Sequence, residues 1–327
     1  MIADVFRRAL ILTGPTGAGK TRLGVSLAEQ LGAEIISMDS MALYRGMDIG
    51  TAKPGPDERQ RVPHHLLDVL DPWESASVAW WMGRAADCVR DIEARGRRAL
   101  FVGGTPLYLK ALLCGLFDGP PADKALRKRL TEEAWRAGSQ ALHDRLAQVD
   151  PSAAARLHPN DVRRIVRALE VWELTGRPIS DWQTQWAVGS AQSAVGSGQP
   201  PVGLDVSSLP TANCQLPSVL WLDLPRAELY ARIDARVDAM LAAGLVDEVR
   251  ALRQLPRPLS REAAQALGYK ELFDYLDGLA SLEEAAQRIR TRTRNYAKRQ
   301  LTWFRHLPFA RPATRELTFA LWGLTMI

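Results

Sequence analysis

A glycine-rich turn near the start of the chain constrains its fold more than any other feature. Residues 14–21, GPTGAGKT, fit the pattern G-x-x-x-x-G-K-[ST] and lie between an apolar run, ALILT, and a helix-compatible stretch, KTRLGVSLAEQLG. A phosphate-binding loop requires this context, because N–H groups of the turn and the helix N-terminus then converge on a phosphate. The turn therefore predicts an α/β fold and a phosphorylated ligand. The residues predicted to hold it are Gly14, Pro15, Thr16, Gly17, Ala18, Gly19, Lys20 and Thr21.

Two side chains of this loop have predicted roles. Lys20 supplies a mobile cation for terminal phosphates, and the Thr21 hydroxyl can ligate Mg²⁺. Any di- or triphosphate satisfies such a loop, so the motif leaves three classes open. They are a nucleoside kinase or NTPase, a nucleotide-binding motor or switch, and a transferase whose donor carries a diphosphate leaving group.

Further apolar runs predict the strands of a sheet. AEIISMD (33–39), RALFVGG (98–104) and SVLWLDL (218–224) each end at a polar or glycine-rich turn, and helical patterns separate them. Continuous apolar runs that alternate with helices are typical of a buried parallel sheet. We predict a P-loop NTPase-like parallel sheet flanked by helices, formed by residues 1–118 and 215–327.

The segment between these two parts of the core has a different character. Residues 119–214 have helical periodicity and no strand-like run, which predicts a helical insertion domain. Gly, Ser, Ala and Pro dominate its end, and such a composition cannot bury enough apolar surface to become ordered. We therefore expect a flexible loop at 187–213.

Composition excludes several other classes of protein. The 327 residues include 42 Lys and Arg against 37 Asp and Glu, a net charge of +5, and 46% are hydrophobic, which excludes a disordered chain or a fibre. Three cysteines without zinc-type spacing favour a reduced protein over a disulfide-built secreted one. No apolar stretch reaches the roughly 20 residues that a membrane span needs. We expect a soluble, cytoplasmic monomer without a membrane partner.

Two polar residues follow predicted strands and are candidates for the crevice. Ligands of open α/β sheets lie outside the carboxyl ends of the strands, so Asp39 should face the same crevice as Lys20. Its carboxylate can be a water-mediated Mg²⁺ ligand, a general base or a helix N-cap. Thr105, after two glycines that permit close backbone approach, offers a hydroxyl at the crevice or caps the next helix.

The fourth apolar run has two possible meanings. It ends at Asp223 like a Walker-B strand, which keeps an NTPase possible. The helix after it carries Arg232 and Arg236, which lie four residues apart on one flank and could clamp a diphosphate. Alternatively they form a solvated flank paired with Asp234 and Asp238.

Together, the motifs resemble one family, the bacterial tRNA dimethylallyltransferases, also called tRNA isopentenyltransferases. The resemblance covers roughly residues 9–306, although many members have glutamine where this chain has Ala42. The segments that carry it, in order, are GPTGAGKT, DSMALYRGMDIGTAKP, VPHHLLD, FVGGTPLYLKALL, LHPNDVRRIVRALEV, ALGYKE and YAKRQLTWFR.

The resemblance implies transfer of a dimethylallyl group from its diphosphate to N6 of the adenosine 3′ of a tRNA anticodon, usually one reading codons that begin with U. The phosphate-binding loop then holds the prenyl donor and not ATP. Asp39 is implied as the base toward the adenine amine, with Thr105 near the reacting centre. Lys20 and Arg236 are implied to contact the diphosphate, and Thr21 the Mg²⁺ ion.

The resemblance also implies which segments contact the anticodon stem-loop of the tRNA. They match Asp39, Ser40, Met41, Ala42, Thr105, Arg127, Arg163, Arg164, Ile165, Val166, Arg167, Gln265, Ala266, Leu267, Gly268, Tyr269 and Lys270.

A basic helix near the C-terminus predicts an RNA partner independently. The run from Ala285 to His306 has seven Lys and Arg and no acidic residue, whereas a solvated face usually interleaves both charges. Ile289, Tyr296 and Trp303 recur every seven residues and should seat the helix on the core, with the arginines outward. Two alternatives stay open: a small-molecule kinase, and a nucleotide-gated RNA-binding protein without chemistry.

Overall fold

The computed structural model describes residues 4–116, 119–183, 218–307 and 310–324. The chain divides into two compact units. The insertion unit comprises Cys114–Ser208, and the sheet unit comprises Ile2–Leu113 together with Leu209–Ile327. The loop predicted at 187–213 lies outside the described residues, and the predicted domain boundaries stay a prediction.

Within the described part of the sheet unit, six parallel strands form one sheet in the order β3-β2-β4-β1-β5-β6. The predicted strands at 33–39, 98–104 and 218–224 are confirmed as β2, β4 and β5, and the fold class is as predicted. The sequence reading missed the two edge strands, β3 with two residues and β6 with Pro312, which an edge strand tolerates. The strands are β1 Leu10–Thr13, β2 Ala33–Ser37, β3 His64–His65, β4 Arg98–Val102, β5 Ser218–Leu222 and β6 Ala310–Ala313.

Helices cover the sheet and build the insertion unit. In the sheet unit they are α1 Lys20–Leu31, α2 Pro56–Arg61, α3 Val78–Ala94, α4 Pro106–Cys114, α10 Arg226–Ala242, α11 Leu245–Arg253, α12 Arg261–Ala264, α13 Tyr269–Leu276, α14 Leu282–Arg305 and α15 Arg315–Leu321. In the insertion unit they are α5 Lys124–Ala137, α6 Ser139–Val149, α7 Pro151–Ala154, α8 Val162–Thr175 and α9 Ile179–Trp182.

The centre of the sheet is buried on both faces. Ile11 and Leu12 of β1 pair in register with Phe101 and Val102 of β4, and the side chains of Ile11, Leu12 and Phe101 have no exposed surface. Burial of both faces explains the continuous apolar runs, because the central positions of these strands are shielded from water on either side. It also fixes the carboxyl ends of β1, β2 and β4 side by side.

The phosphate-binding loop joins β1 to α1 through left-handed backbone conformations. Gly17 and Gly19 have φ angles of +85° and +86°, which residues with a Cβ rarely adopt. A Cβ at Gly17 would also lie 3.0 Å from the side chain of Ile233 on α10. The loop therefore needs glycine at these positions to fold under α10.

The insertion unit has a small core of its own. Leu130, Leu146, Ile165 and Leu169 have no exposed surface and belong to one apolar cluster. The residues described here, 119–183, form helices only, as expected from the periodicity. None of the helices in the described ranges is long and apolar enough to cross a membrane.

Candidate active site

The carboxyl ends of β1, β2 and β4 open into a cavity of about 370 Å³ in the sheet unit. Its walls are the phosphate-binding loop, the turns after β2 and β4, and helices α10 and α14. Asp39 and Lys20 both line it, which confirms the prediction that they face one crevice. The other lining residues that bear on its chemistry are Thr16, Thr21, Ala42, Lys53, Gly104, Arg232, Arg236, Tyr296 and Gln300.

Lys20 is a desolvated cation at the base of the cavity. Its Nζ donates a hydrogen bond to the carbonyl oxygen of Pro15 at 2.8 Å. Burial lowers the pKa of the Lys20 ammonium to about 8, although the nearby Asp39 carboxylate acts in the opposite direction. A bound phosphate anion would reverse this shift, so the lysine is poised to gain charge stabilisation from a ligand.

Arg236 reaches the cavity from α10 with part of its hydrogen-bonding capacity unused. Its Nη2 donates to Thr16 Oγ1 at 2.5 Å, which attaches the guanidinium to the phosphate-binding loop. Its Nε is buried and has no hydrogen-bond partner among the described residues. Burial lowers the pKa of this guanidinium, with Asp39 opposing the effect. An anion in the cavity would satisfy both the free donor and the charge.

The predicted two-arginine clamp is only half supported by the geometry. Arg232 is exposed at the rim of the cavity and forms an ion pair with Glu228 at 2.6 Å. The alternative pairing within the helix is wrong, because Asp234 and Asp238 of α10 pair with arginines of α14 instead. Both arginines line the cavity, but Arg236 is the more buried of the two.

The Asp39 carboxylate is held by one of its two oxygens. Oδ1 accepts a hydrogen bond from the N–H of Met41 at 2.8 Å, a turn contact and not a helix cap. Oδ2 has no hydrogen-bond partner in the part of the chain described. The carboxylate is thus oriented while one oxygen stays available to a ligand.

Thr105 joins the turns after β2 and β4. Its Oγ1 accepts a hydrogen bond from the N–H of Ser40 at 3.0 Å, and its own N–H donates to Met38 O at 3.2 Å. The close backbone approach predicted for the two preceding glycines is confirmed, since a Cβ at Gly103 would lie 2.2 Å from Met38 O. These contacts fix the position of Asp39 relative to the turn after β4.

Gln300 of α14 connects two walls of the cavity. Its side chain is 2% exposed, its Oε1 accepts from the N–H of Thr16 at 2.9 Å, and its Nε2 donates to Gly104 O at 2.6 Å. The sequence reading did not single this residue out. A glutamine on the buried stripe of an amphipathic helix is a signal that could have identified it, because a buried amide needs partners.

Residues 51–54 form a further wall of the cavity, and charged groups hold the segment 48–54 in place. The Glu248 carboxylate accepts hydrogen bonds from the N–H groups of Asp48, Ile49 and Gly50 at 2.7–3.1 Å, and from the hydroxyl of Tyr269 at 2.6 Å. Lys53, whose side chain is 1% exposed, pairs with Asp48 and Asp68 at 2.7 and 2.6 Å. Neither Glu248 nor Lys53 was predicted, because their partners are distant in sequence or carry no pattern.

The Walker-B interpretation of Asp223 is wrong. This residue lines a separate cavity with Ala18 and Thr314, and its N–H donates to Ala313 O at 3.3 Å. Although β5 pairs directly with β1, Asp223 does not line the crevice formed at the ends of β1, β2 and β4. Asp39 does line that crevice.

Family models match most of the chain. A model described as IPP transferase matches residues 42–307, and one described as isopentenyl transferase matches residues 7–68. The chain belongs to the IPP transferase family. The resemblance inferred from the motifs is therefore confirmed.

Relatives agree with this assignment over nearly the full length. A tRNA dimethylallyltransferase of Geobacillus thermodenitrificans is 47% identical, covering 91% of this chain and 88% of that protein. One of Symbiobacterium thermophilum is 51% identical, covering 90% and 86%. The crystal structure of a full-length tRNA isopentenylpyrophosphate transferase from Bacillus halodurans is 40% identical with a TM-score of 0.63, covering 94% and 90%. A eukaryotic dimethylallyltransferase acting on tRNA is 28% identical with a TM-score of 0.68, covering 91% and 70%.

In this IPP transferase, the segments expected to contact tRNA combine exposed and buried side chains. Arg163 and Arg164 of α8 are exposed, whereas Ile165 and Val166 are 0% and 5% exposed and pack inside the insertion unit. Buried aliphatic side chains cannot reach RNA, so any contact between this segment and RNA would be made by the arginines. Arg127 forms a bidentate pair with the buried Glu170.

The segment 265–270 divides in the same way. Gln265 is exposed and Lys270 half-buried, whereas Ala266 and Tyr269 are 6% and 0% exposed. The Tyr269 hydroxyl is occupied by Glu248, so this ring supports the wall of the cavity and does not present a face to RNA.

The prediction for the basic helix α14 needs two corrections. Its buried stripe includes Ile289 but otherwise differs from the one predicted, and Tyr296 and Trp303 are only half-buried. Tyr296 instead lines the cavity, and Trp303 lies on an open surface with Lys298 and Arg299. The side chains that seat the helix are Ala285, Ala286, Ile289, Thr293, Ala297, Gln300, Leu301 and Phe304.

The second correction concerns charge. Four of the seven cations form ion pairs with acids from α10 and α13, which the local sequence could not reveal. The pairs are Arg288 with Asp274, Arg290 with Asp238, Arg292 with Glu271 and Arg294 with Asp234.

The remaining cations of α14 lie toward its C-terminal end. Lys298, Arg299 and Arg305 have no ion-pair partner within the described residues. Lys298 and Arg299 share a shallow, open surface with Trp303 and His306, which we call the terminal basic face. The basic character predicted for the whole helix is thus concentrated in its last turns.

Proposed function

We propose that this member of the family transfers a dimethylallyl group from dimethylallyl diphosphate to N6 of the adenosine 3′ of the anticodon in tRNA. The acceptors are tRNAs that read codons beginning with U, and diphosphate is released. One observation carries the proposal: a single cavity contains both an anion cradle and a carboxylate that can take a proton. Prenyl transfer needs both, because the leaving group departs as an anion while the attacking amine loses a proton.

The reaction is a substitution at the first carbon of the prenyl group. The N6 nitrogen forms the new C–N bond, the allylic C–O bond breaks, and its electron pair passes to the diphosphate. Negative charge therefore develops on the leaving group, and catalysis depends chiefly on donors arranged around it in advance. Lys20, Arg236 and the amides of the phosphate-binding loop are those donors.

Arg236 contributes more than its charge. Its Nη2 is fixed on Thr16, so its orientation is set before the donor arrives, and its buried Nε is an unused donor. A group that is already oriented and desolvated needs little reorganisation in the transition state.

Asp39 acts as the base in this proposal. The exocyclic amine of adenine is a poor nucleophile, since its lone pair is delocalised into the ring. A carboxylate oxygen hydrogen-bonded to the amine raises its electron density and accepts the proton. Oδ2 is suited to this, because Oδ1 is held by Met41. Thr105 keeps the turn that carries Asp39 in place through its hydrogen bond to Ser40. Its position near the reacting centre remains part of the proposal.

Mg²⁺ fits the site through Thr21. The described residues contain no group of three or more His, Cys, Asp or Glu side chains able to hold a metal ion. A metal at the cradle would therefore take its other ligands from the diphosphate and water, which is how Mg²⁺ commonly binds beside phosphates. Thr21 lines the cavity next to Lys20. When bound, the ion neutralises charge on the leaving diphosphate.

The tRNA is proposed to contact basic residues in both units. These are Arg163 and Arg164 of the insertion unit, and in the sheet unit Lys270 and the terminal basic face. A base inside an anticodon loop must leave its stack to enter a cavity, at a cost of a few kcal/mol. Phosphate contacts of this kind offset that cost without reading sequence. We place the protein in the cytoplasm. We also propose that it is a monomer, and light scattering of the purified protein tests this by measuring its molar mass.

The proposal is tested by incubating the protein with Mg²⁺, dimethylallyl diphosphate and a tRNA bearing adenosine 3′ of the anticodon. Digestion and mass spectrometry should reveal one prenyl unit on that adenosine, and replacing the adenosine by guanosine is the matched control. ATP consumption without a modified tRNA would favour a kinase. Binding of tRNA without any product in the presence of donor would favour an RNA-binding protein.

A further inference from the structure

We infer that Gln300 is a positioning residue that sets the distance between the diphosphate cradle and Asp39. The inference rests on the proposed function. It concerns a side chain that forms part of the cavity lining but is assigned no role in the transfer itself.

The contacts of Gln300 give it this role. Its Oε1 accepts the N–H of Thr16, 284 residues away, and its Nε2 donates to Gly104 O, 196 residues away. Thr16 belongs to the diphosphate cradle, and Gly104 precedes Thr105. One planar amide thus joins the turns that follow β1 and β4.

The two connected turns lead directly to the groups that react. On one side, Thr16 Oγ1 holds the Arg236 guanidinium. On the other side, Thr105 Oγ1 holds the backbone of Ser40, next to Asp39. A displacement at Gln300 therefore changes the separation of leaving group and base, and both the donor and the acceptor of its amide are needed to maintain it.

The surroundings of Gln300 are too closely packed for another group to replace its two hydrogen bonds. A Cβ at Gly104 would lie 2.8 Å from Gln300 Nε2 and 2.9 Å from Gly14 O. The side chain is 2% exposed, so bulk water cannot easily replace the lost hydrogen bonds. A carboxylate in the same place could accept from Thr16 but would oppose the Gly104 carbonyl oxygen with a second acceptor.

Gln300→Glu provides a test with a distinctive signature. A neutral carboxylic acid can both accept from Thr16 and donate to Gly104, whereas the ionised form cannot donate. We expect kcat of the variant at pH 8.5 to fall by about tenfold to a hundredfold, as misplacement by about 1 Å does elsewhere. The ratio of variant to wild-type kcat should rise as pH is lowered toward 6. Affinity for tRNA should change less than twofold.

The quantity measured is the ratio of variant kcat to wild-type kcat at each pH, not the pH profile of the variant alone. Lys20, Asp39 and Arg236 line the same cavity and are present in both proteins. The ratio therefore removes what they contribute to the pH dependence of the wild type. A merely structural role for Gln300 would lower stability without making the ratio depend on pH.

Gln287→Glu is the matched control, because it makes the same change from amide to carboxylate on an exposed face of α14. Its ratio should stay flat and near one. Gln300→Met, which keeps length and removes both hydrogen bonds, is the second variant if the carboxylate prevents folding. Its kcat should fall at every pH.

The outcomes separate the two proposals. If the wild type modifies tRNA but Gln300→Met retains its kcat, or the Gln300→Glu ratio stays flat, the positioning role is refuted. If the wild type forms no prenylated tRNA, the proposed function fails instead.

Discussion

Replacing Arg236 by alanine should damage use of the prenyl donor while leaving the fold almost as stable as before. The guanidinium contributes a hydrogen bond to Thr16 Oγ1 and a buried Nε without a partner among the described residues. Its removal therefore has opposite consequences in the free protein and in the transition state.

In the free protein the two effects nearly cancel. Loss of a hydrogen bond made by a charged group costs about 1.5–3 kcal/mol, and removing an unsatisfied buried donor regains about 1–3 kcal/mol. The free energy of unfolding should therefore change by no more than about 1 kcal/mol, measured by urea titration without ligands.

In the transition state the loss has no such compensation. Removing one preorganised donor from a developing anion costs about 2.7–4 kcal/mol, and each 1.36 kcal/mol corresponds to about a factor of ten in rate. We expect kcat/KM for dimethylallyl diphosphate to fall by about a hundredfold to a thousandfold, measured by transfer of a radiolabelled prenyl group to saturating tRNA.

Arg232→Ala is the control for this experiment. Arg232 carries the same charge four residues earlier on α10, but it is exposed at the rim and paired with Glu228. Its replacement should change kcat/KM less than about fivefold, as expected for an exposed ion pair of at most about 1 kcal/mol. Equal losses in both variants, or an Arg236 variant within fivefold of the wild type, would refute the assignment of Arg236 to the leaving group.

Three further predictions concern the base, the lysine and the RNA surface. Asp39→Ala should lower the single-turnover rate by about a hundredfold to ten-thousandfold. Its affinity for tRNA, measured by filter binding, should stay nearly the same. A large loss of tRNA binding with a normal rate would contradict the role of Asp39 as the base. Lys20 is charged below its pKa of about 8 and neutral above it, and only the charged form attracts diphosphate. Donor kcat/KM should therefore decline above pH 8, while kcat, measured with Lys20 already paired to donor, should persist to higher pH. Lys298→Ala and Arg299→Ala should each reduce the slope of log affinity for tRNA against log salt concentration by about 0.7–0.9. Arg290→Ala is the control and should leave the slope unchanged, because Arg290 is paired with Asp238. Equal slopes in all three variants would exclude the terminal basic face as a tRNA contact.

The sequence alone predicted those features whose causes lie in residues adjacent along the chain. The phosphate-binding loop was predictable because its glycines, lysine and flanking elements are adjacent. Strands β2 and β4 were predictable because burial on both faces makes their central residues apolar. Asp39 followed from these two, since the end of a strand in a parallel sheet has a known position. No such rule locates β3, a two-residue strand with two histidines.

The errors share a different cause, which is pairing between distant segments. Asp223 resembles a Walker-B residue in the sequence, but in the folded sheet unit it lines a second cavity with Thr314, which is distant in the sequence. The arginines of α14 look unpaired until α10 and α13 pack against them, as with Arg292 and Glu271. Gln300 is ordinary in the sequence, and its partners are 196 and 284 residues away.

The carboxylate of Glu248 has a consequence for where phosphate can bind. Three consecutive amides at 48–50 converge on it, and such a concave array of N–H groups is itself an anion-binding nest. The protein's own carboxylate therefore fills the nest formed by residues 48–50, and these amides are not available to an external anion. The consequence is that this segment serves as a scaffold for residues 51–54, which line the cavity. An anion in the cavity would depend instead on the phosphate-binding loop, Lys20 and Arg236, which line it.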